Sequence, residues 1–118
     1  TLSSSSAASD VYKRQTTWGA IKDGRLLPNY PNPFNSETWI PFQLAQDSNV
    51  AVSIYNATGQ LMRRVIIGHR DAGSYVSKDS AAYWDGKDDA GDPVASGIYF
   101  YSIEAGAFQA TRKMIVQR

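Results

Sequence analysis

A chain of 118 residues, 42% of them hydrophobic, can build one ordinary domain around a single core. Its net charge of +1 gives nucleic acid and anionic membrane surfaces nothing to attract. The lack of cysteine excludes disulfides, thiolate metal sites and cysteine nucleophiles, and no apolar run approaches the roughly 18 residues of a membrane-spanning helix, so no transmembrane segment is expected.

The chain begins at Thr1 without an initiator Met, so a fragment of a longer protein is expected, with any signal peptide upstream. Residues 1–25 read as a disordered linker. Ser and Ala dominate residues 1–15. The stretch Ser4 to Gln15 resembles translated sequencing-adapter sequence, a contaminant of assembled genomes, and is set aside from fold reasoning. Trp18, alone in a polar stretch, decides little.

The folded unit is expected over residues 26–118. Leu26 to Asn35 holds Pro28, Pro31 and Pro33. Each proline lacks an N–H and pushes the residue before it into extended backbone, so this segment is an edge strand or an arm lying along a sheet. Phe34 is its expected anchor. Thr38, Ile40, Phe42 and Leu44 then alternate with Trp39, Pro41 and Gln43, which predicts a strand with one buried face and a bulge or free edge at Pro41. Val50, Val52 and Ile54 give a second strand. Asn56 to Gln60 forms a hairpin turn, and Leu61 to Ile67 returns. Gly68 to Ser80 reads as polar and irregular, with Tyr75 turned inward. Ala81 to Asp85 is a short strand, and Asp88 to Pro93 a turn. Gly97 to Ala105 puts Tyr99, Tyr101 and Ile103 on one face. Phe108, Ala110, Met114 and Val116 share a face of the last strand. The expectation is an all-β, antiparallel, immunoglobulin-like β-sandwich of about seven strands.

Candidate chemistry is thin. Asp85, Asp88, Asp89 and Asp92 do not follow the calcium-loop pattern, and they read as turn residues whose carboxylates bond backbone N–H groups. His69, the single histidine, reads as an exposed loop residue, which leaves neither a serine triad nor a zinc site. Nothing in the sequence pairs Glu37 with Glu104 for glycoside hydrolysis. Asn56-Ala57-Thr58 fits the glycosylation pattern but sits in a tight turn. No catalytic residue, cofactor or metal is expected. Trp39, Tyr83, Trp84, Tyr99 and Tyr101 read mainly as core and cross-strand partners, with Trp39 the one whose exposure would mark a binding face. Tyr99 or Tyr101 is expected to form the corner hydrogen bond of immunoglobulin-like folds. Arg112, Lys113 and Arg118 read as charges on a solvated strand that discourage edge pairing.

Five segments then carry a resemblance: Leu27 to Asn35, Ile54 to Gln60, Trp84 to Asp88, Val94 to Tyr101 and Ala110 to Val116. In this order and spacing they resemble the FlgD-type (flagellar hook-capping) immunoglobulin-like domain. They are similar too to the C-terminal sorting domains of type IX (Por) secretion cargo. The resemblance covers about residues 26–118 and implies a non-catalytic module of a larger exported bacterial protein, secreted or held at the cell surface. The implied partners are secretion or surface-attachment machinery and the upstream domains of the parent protein. Asn32, Pro33, Phe34, Arg112 and Lys113 stand where the family's shared pattern lies and are the implied recognition residues. The Trp84-Asp85-Gly86 hairpin is longer than in strict sorting domains and more FlgD-like. A carbohydrate- or protein-binding accessory module, or a structural spacer, is the alternative.

Overall fold

The computed structural model describes residues 24–118, and every regular element among them is a β-strand. In chain order these are β1 (Arg25–Leu26), β2 (Thr38–Ile40), β3 (Phe42–Leu44), β4 (Ser48–Asn56), β5 (Leu61–Arg70), β6 (Gly73–Tyr75), β7 (Ala82–Trp84), β8 (Gly97–Ala105) and β9 (Phe108–Val116). The expected linker, the adapter-like stretch and Trp18 lie, apart from Gly24 and Arg25, outside the described residues.

One layer is a four-stranded antiparallel sheet ordered β9-β8-β4-β5. The other consists of two short sheets, β1-β3-β6 and β2-β7. Pro41 explains why this second layer is divided. The expected strand from Thr38 to Leu44 stops there, because proline cannot donate to a ladder. β2 pairs with β7, whereas β3 pairs with β1 and β6. Thr38, Ile40, Phe42 and Leu44 still point inward on both sides of the break. The division at Pro41 and the pairing of Gly73–Tyr75 raise the strand number from about seven to nine, within a β-sandwich.

Alternation assembles the core. Val50, Val52 and Ile54 of β4, Tyr101 and Ile103 of β8, and Met114 and Val116 of β9 meet Ile40, Phe42 and Trp84 of the opposite layer. On β4, however, burial runs without a break from Val50 to Ile54. The strand is central, and the Arg64 guanidinium folds over its outer face to donate to Ser53 Oγ at 3.0 Å.

β5 is longer than expected. Gly68, His69 and Arg70 belong to the strand rather than to an irregular connection. Gly68, at φ +89°, lies opposite Val50, while Ile66 lies opposite Ala51. A bulge thus absorbs Ile67 and lets the ladder continue, the role a left-handed glycine fills. Tyr75 turns inward as expected and stacks on Phe42 with ring centroids 5.0 Å apart.

Candidate functional site

The arm from Leu27 to Asn35 is fixed at a few points rather than along a ladder. Leu27 N–H donates to Pro41 O at 3.1 Å, and Tyr30 and Trp39 exchange bonds of 2.9 and 2.8 Å. Further on, Phe34 N–H donates to Ile115 O at 3.1 Å, and Phe34 O accepts from Gln117 N–H at 2.8 Å. Asn32 Oδ1 accepts the Ile115 N–H at 3.0 Å. The arm therefore lies beside the end of β9. Phe34 is buried there, its ring edge-on to Trp84 at 5.6 Å, so it is the anchor the sequence predicts and is not accessible. Asn32 and Pro33 stay exposed.

Arg112 and Lys113 sit on the same strand but alternate between its faces. Arg112 has the parity of Met114 and reaches over the edge, Nη1 donating to Leu26 O at 3.4 Å, so it is not simply a solvated charge. Lys113 lies on the outer face, opposite Phe100. Asn32 and Pro33 thus lie exposed beside the end of β9 and Lys113 is exposed on that strand's outer face, while Phe34 anchors the arm and Arg112 reaches β1.

Tyr101 ties the arm to the sheet. Its hydroxyl donates to Leu27 O at 2.8 Å and accepts the Asn29 N–H at 2.9 Å. Asn29 is itself buried, its Nδ2 donating to Thr38 Oγ1 at 3.0 Å. Burial pushes the Tyr101 phenol up, against the opposing pull of the Asn29 N–H and the Arg112 charge. Tyr99 makes the local bond of the corner geometry, donating to Ala95 O four residues upstream at 2.8 Å. Burial raises its phenol too, with Arg118 opposing.

Arg118 has a part that sequence reasoning missed. Its guanidinium donates to three backbone carbonyls from separate segments: Asn35 at 2.7 Å, Gly86 at 2.8 Å, and Val94. Its N–H reaches Ser96 Oγ at 2.9 Å. Gly86 has φ +75°, and a Cβ there would stand 2.9 Å from both Ser36 O and Arg118 Nη2. An arginine after an apolar strand does not reveal such partners, because all of them are 22 or more residues away.

The acidic loop behaves as turn chemistry. Asp88 Oδ1 accepts from the N–H groups of Ala90 and Asp92, both at 3.0 Å. Asp85 Oδ1 accepts from Lys87 N–H at 3.1 Å, and Arg63 Nη1 stands 3.4 Å from it. Trp84 Nε1 closes the loop on Lys87 O at 2.9 Å. In the earlier hairpin, Asn56 Oδ1 accepts from Thr58 and Gln60 N–H, which is why the glycosylation triplet reads as a turn.

A different set of residues could hold a cation. Asp47, His69 and Asp71 offer ligand atoms within 4.8 Å of one another, all exposed, where the ends of β4 and β5 meet. Asp47 Oδ1 already accepts the Ala72 N–H at 2.8 Å. His69 is exposed as expected, but on a strand. The two glutamates do not meet: Glu37 accepts from the Tyr83 hydroxyl at 2.8 Å, and Glu104 pairs with Arg64 at 3.1 Å. The Glu37 hydrogen bond is the main cause of a raised Tyr83 phenol.

Trp84, Tyr99 and Tyr101 are core, as expected. Trp39 is half-buried in a surface row, 6.3 Å from Tyr30 and 5.5 Å from Tyr83, with Lys78 Nζ 4.3 Å above its ring. No helix among the described residues is long and apolar enough to cross a membrane.

Residues 32–108, more than half of the chain, match the family model described as the FlgD Ig-like domain. The structure is similar to that of dimeric latent PorU from Porphyromonas gingivalis, with a TM-score of 0.58 and 23% identity over 79% of this chain and 9% of that one. It is similar also to PorZ of the same organism, described as an essential bacterial surface component of the type-IX secretion system. There the TM-score is 0.50 and the identity 19%, over 79% of this chain and 11% of that one. FlgD from P. aeruginosa gives a TM-score of 0.49 and 24% identity, over 80% and 67% of the two chains. The PorU and PorZ likenesses establish the fold, and the chain spans about a tenth of either. No curated protein matches the chain.

Proposed function

We propose that this chain, which belongs to the FlgD Ig-like domain family, is a non-catalytic module of a larger exported bacterial protein and directs its secretion or attachment to the cell surface. The observation that carries the reading is the docked arm. Asn32 and Pro33 are held in the open beside the end of β9, next to the strand positions that carry Lys113 and Arg112. That is a fixed, accessible surface of the kind a receptor can read, and it needs no reacting group. The fold's place in PorU and PorZ supports the reading, since each is a chain about ten times longer than the shared domain. Upstream domains and an export or surface-attachment apparatus are then the partners, and the location is outside the cell or on its surface.

A second reading rests on the row Tyr30, Trp39 and Tyr83, which would suit a polysaccharide- or protein-binding module. The Lys78 ammonium over the Trp39 face weighs against ring stacking on a sugar. One experiment separates the two. The 118-residue chain is fused behind a periplasm-directed reporter in a host with type IX secretion. Reporter on the cell surface or in the medium is the expected outcome, reduced severalfold by joint Asn32→Ala and Lys113→Ala changes. A reporter that stays periplasmic rejects the export reading and leaves a binding module or spacer.

A further inference from the structure

Exposed large apolar side chains are unevenly distributed. Of the six among the described residues, Leu61, Ile66, Ile98 and Ile115 stand on one surface, the outer face of the four-stranded sheet. Ile66 is 68% exposed, the most of the set. No other part of the described fold covers this face, and single exposed leucines would need no explanation, but four on one sheet face do.

The register orders the face into rows across the strands. The middle row is polar: Arg64, Ser53, Ser102 and Thr111. The row toward one end is bulky, with Leu61, Tyr55, Phe100 and Lys113, and beyond it lie Ile98 and Ile115. The row toward the other end is Ile66, Ala51, Glu104 and Gln109. Beyond that, Gly68 and Gly106 line a shallow groove of about 410 Å³ with Ala51 and Glu104. One half of the face is therefore a ridge and the other a trough.

We propose that this face is a self-association surface, on which a second copy packs about a two-fold axis lying along the Ser53–Ser102 row. Such an axis lays the ridge of each copy in the trough of the other, and a two-fold interface must be self-complementary in this way. Tyr55 comes over Ala51, and Leu61 over Ile66. Ile98 and Ile115 come over the glycine end. Lys113, which has no acidic partner among the described residues, comes over Gln109, one strand from Glu104. Shape thus selects one arrangement, in which the two Arg64 side chains meet at the axis, each held by its own copy's Glu104 at 3.1 Å. Four strands about 4.8 Å apart and nine residues long, at about 3.3 Å each, make a plane of roughly 570 Å² per copy. Specific interfaces begin at about 600 Å² per partner, so the face suits a weak, reversible dimer.

Sedimentation equilibrium of the 118-residue chain from 10 to 500 µM tests this. The expected result is a monomer–dimer equilibrium, weakened at least tenfold by Ile66→Lys, whose side chain is mostly in solvent and leaves the thermal melt unchanged. Leu61→Lys, at the residue that meets Ile66 across the axis, weakens it likewise. A monomer at 500 µM overturns the proposal, as does a dimer indifferent to Ile66→Lys or to Leu61→Lys. The export reading stands or falls separately, since its assay reads location and not mass.

Discussion

The proline-rich arm and the acidic loop both lack regular strand structure, yet they are held in opposite ways. In the loop, Asp88 bonds residues two and four positions ahead, and Trp84 bonds one three positions ahead. In the arm, Leu27 and Asn29 bond Tyr101, and Asn32 bonds Ile115, across 72 to 83 residues. The loop satisfies much of its own backbone and is tied to β5 by the Asp89 N–H on Met62 O at 2.9 Å and by Arg63 beside Asp85. An arm without ladder bonds takes its shape from the rest of the domain and is the more sensitive report of whether that domain is complete.

The largest effect is expected where the two regions meet. Gly86 belongs to the loop, but its carbonyl and its missing Cβ serve the contact with Ser36 and Arg118. Gly86→Ala should cost about 3 kcal/mol, from the left-handed backbone and a clash with a fixed carbonyl. Gly91→Ala, at φ +89° with open space around it, should cost only about 1 kcal/mol. Equal costs in urea denaturation would mean that the loop and the arm are not joined at Gly86.

Next comes Tyr101→Phe, which deletes the bond to Leu27 O and leaves the Asn29 N–H unpaired in a buried site. About 2–3 kcal/mol is expected, against about 1 kcal/mol for Tyr99→Phe, whose lost bond is local. A pH series sharpens the contrast. The folded phenols of Tyr99 and Tyr101 are raised above 10.0, so the unfolded chain releases those protons first. Their contribution is full below about pH 10 and is lost as pH rises through the folded values. Tyr101→Phe should flatten that alkaline decline. An unchanged decline would remove Tyr101 as its source.

The smallest effect is Asp88→Ala, with about 1 kcal/mol lost from two exposed turn bonds. The change should leave Tyr101 and the arm as they are, which near-ultraviolet circular dichroism can follow. A larger loss spreading to the arm would break the distinction between the regions.

The same distinction explains what could be read in the sequence. Asp and Gly at fixed short offsets announce a turn because donor and acceptor are neighbours, so the turn roles of Asp85 and Asp88 were legible, whereas Asp89 bonds Arg64 of β5. Alternation gave the buried faces of β4, β8 and β9, since strand period depends only on adjacent residues. Phe34 was legible as an anchor because an aromatic amid prolines has little else to do. Three features were not legible. Pro41 marks a break, but only the partner strands decide that the halves join different sheets. Polarity hid the end of β5, because Gly68, His69 and Arg70 look like a loop until Asn49 and Val50 pair with them. For the candidate site, the position of Asn32 and Phe34 beside Ile115 depends on register 80 residues away, as does the reach of Arg118.

That reach has a consequence for the order in which the molecule is made. A ribosome delivers residues 27 to 35 long before residues 101 to 118, so the arm cannot dock while the chain is being elongated. Contacts so distant along the chain place folding in the slow range of small domains, milliseconds to seconds. Until Arg118 has emerged and closed over Asn35, Gly86 and Val94, the arm has only the sheet partners within reach of Pro41 and Trp39. Docking of the arm is therefore a late event, set by synthesis of residues 101–118.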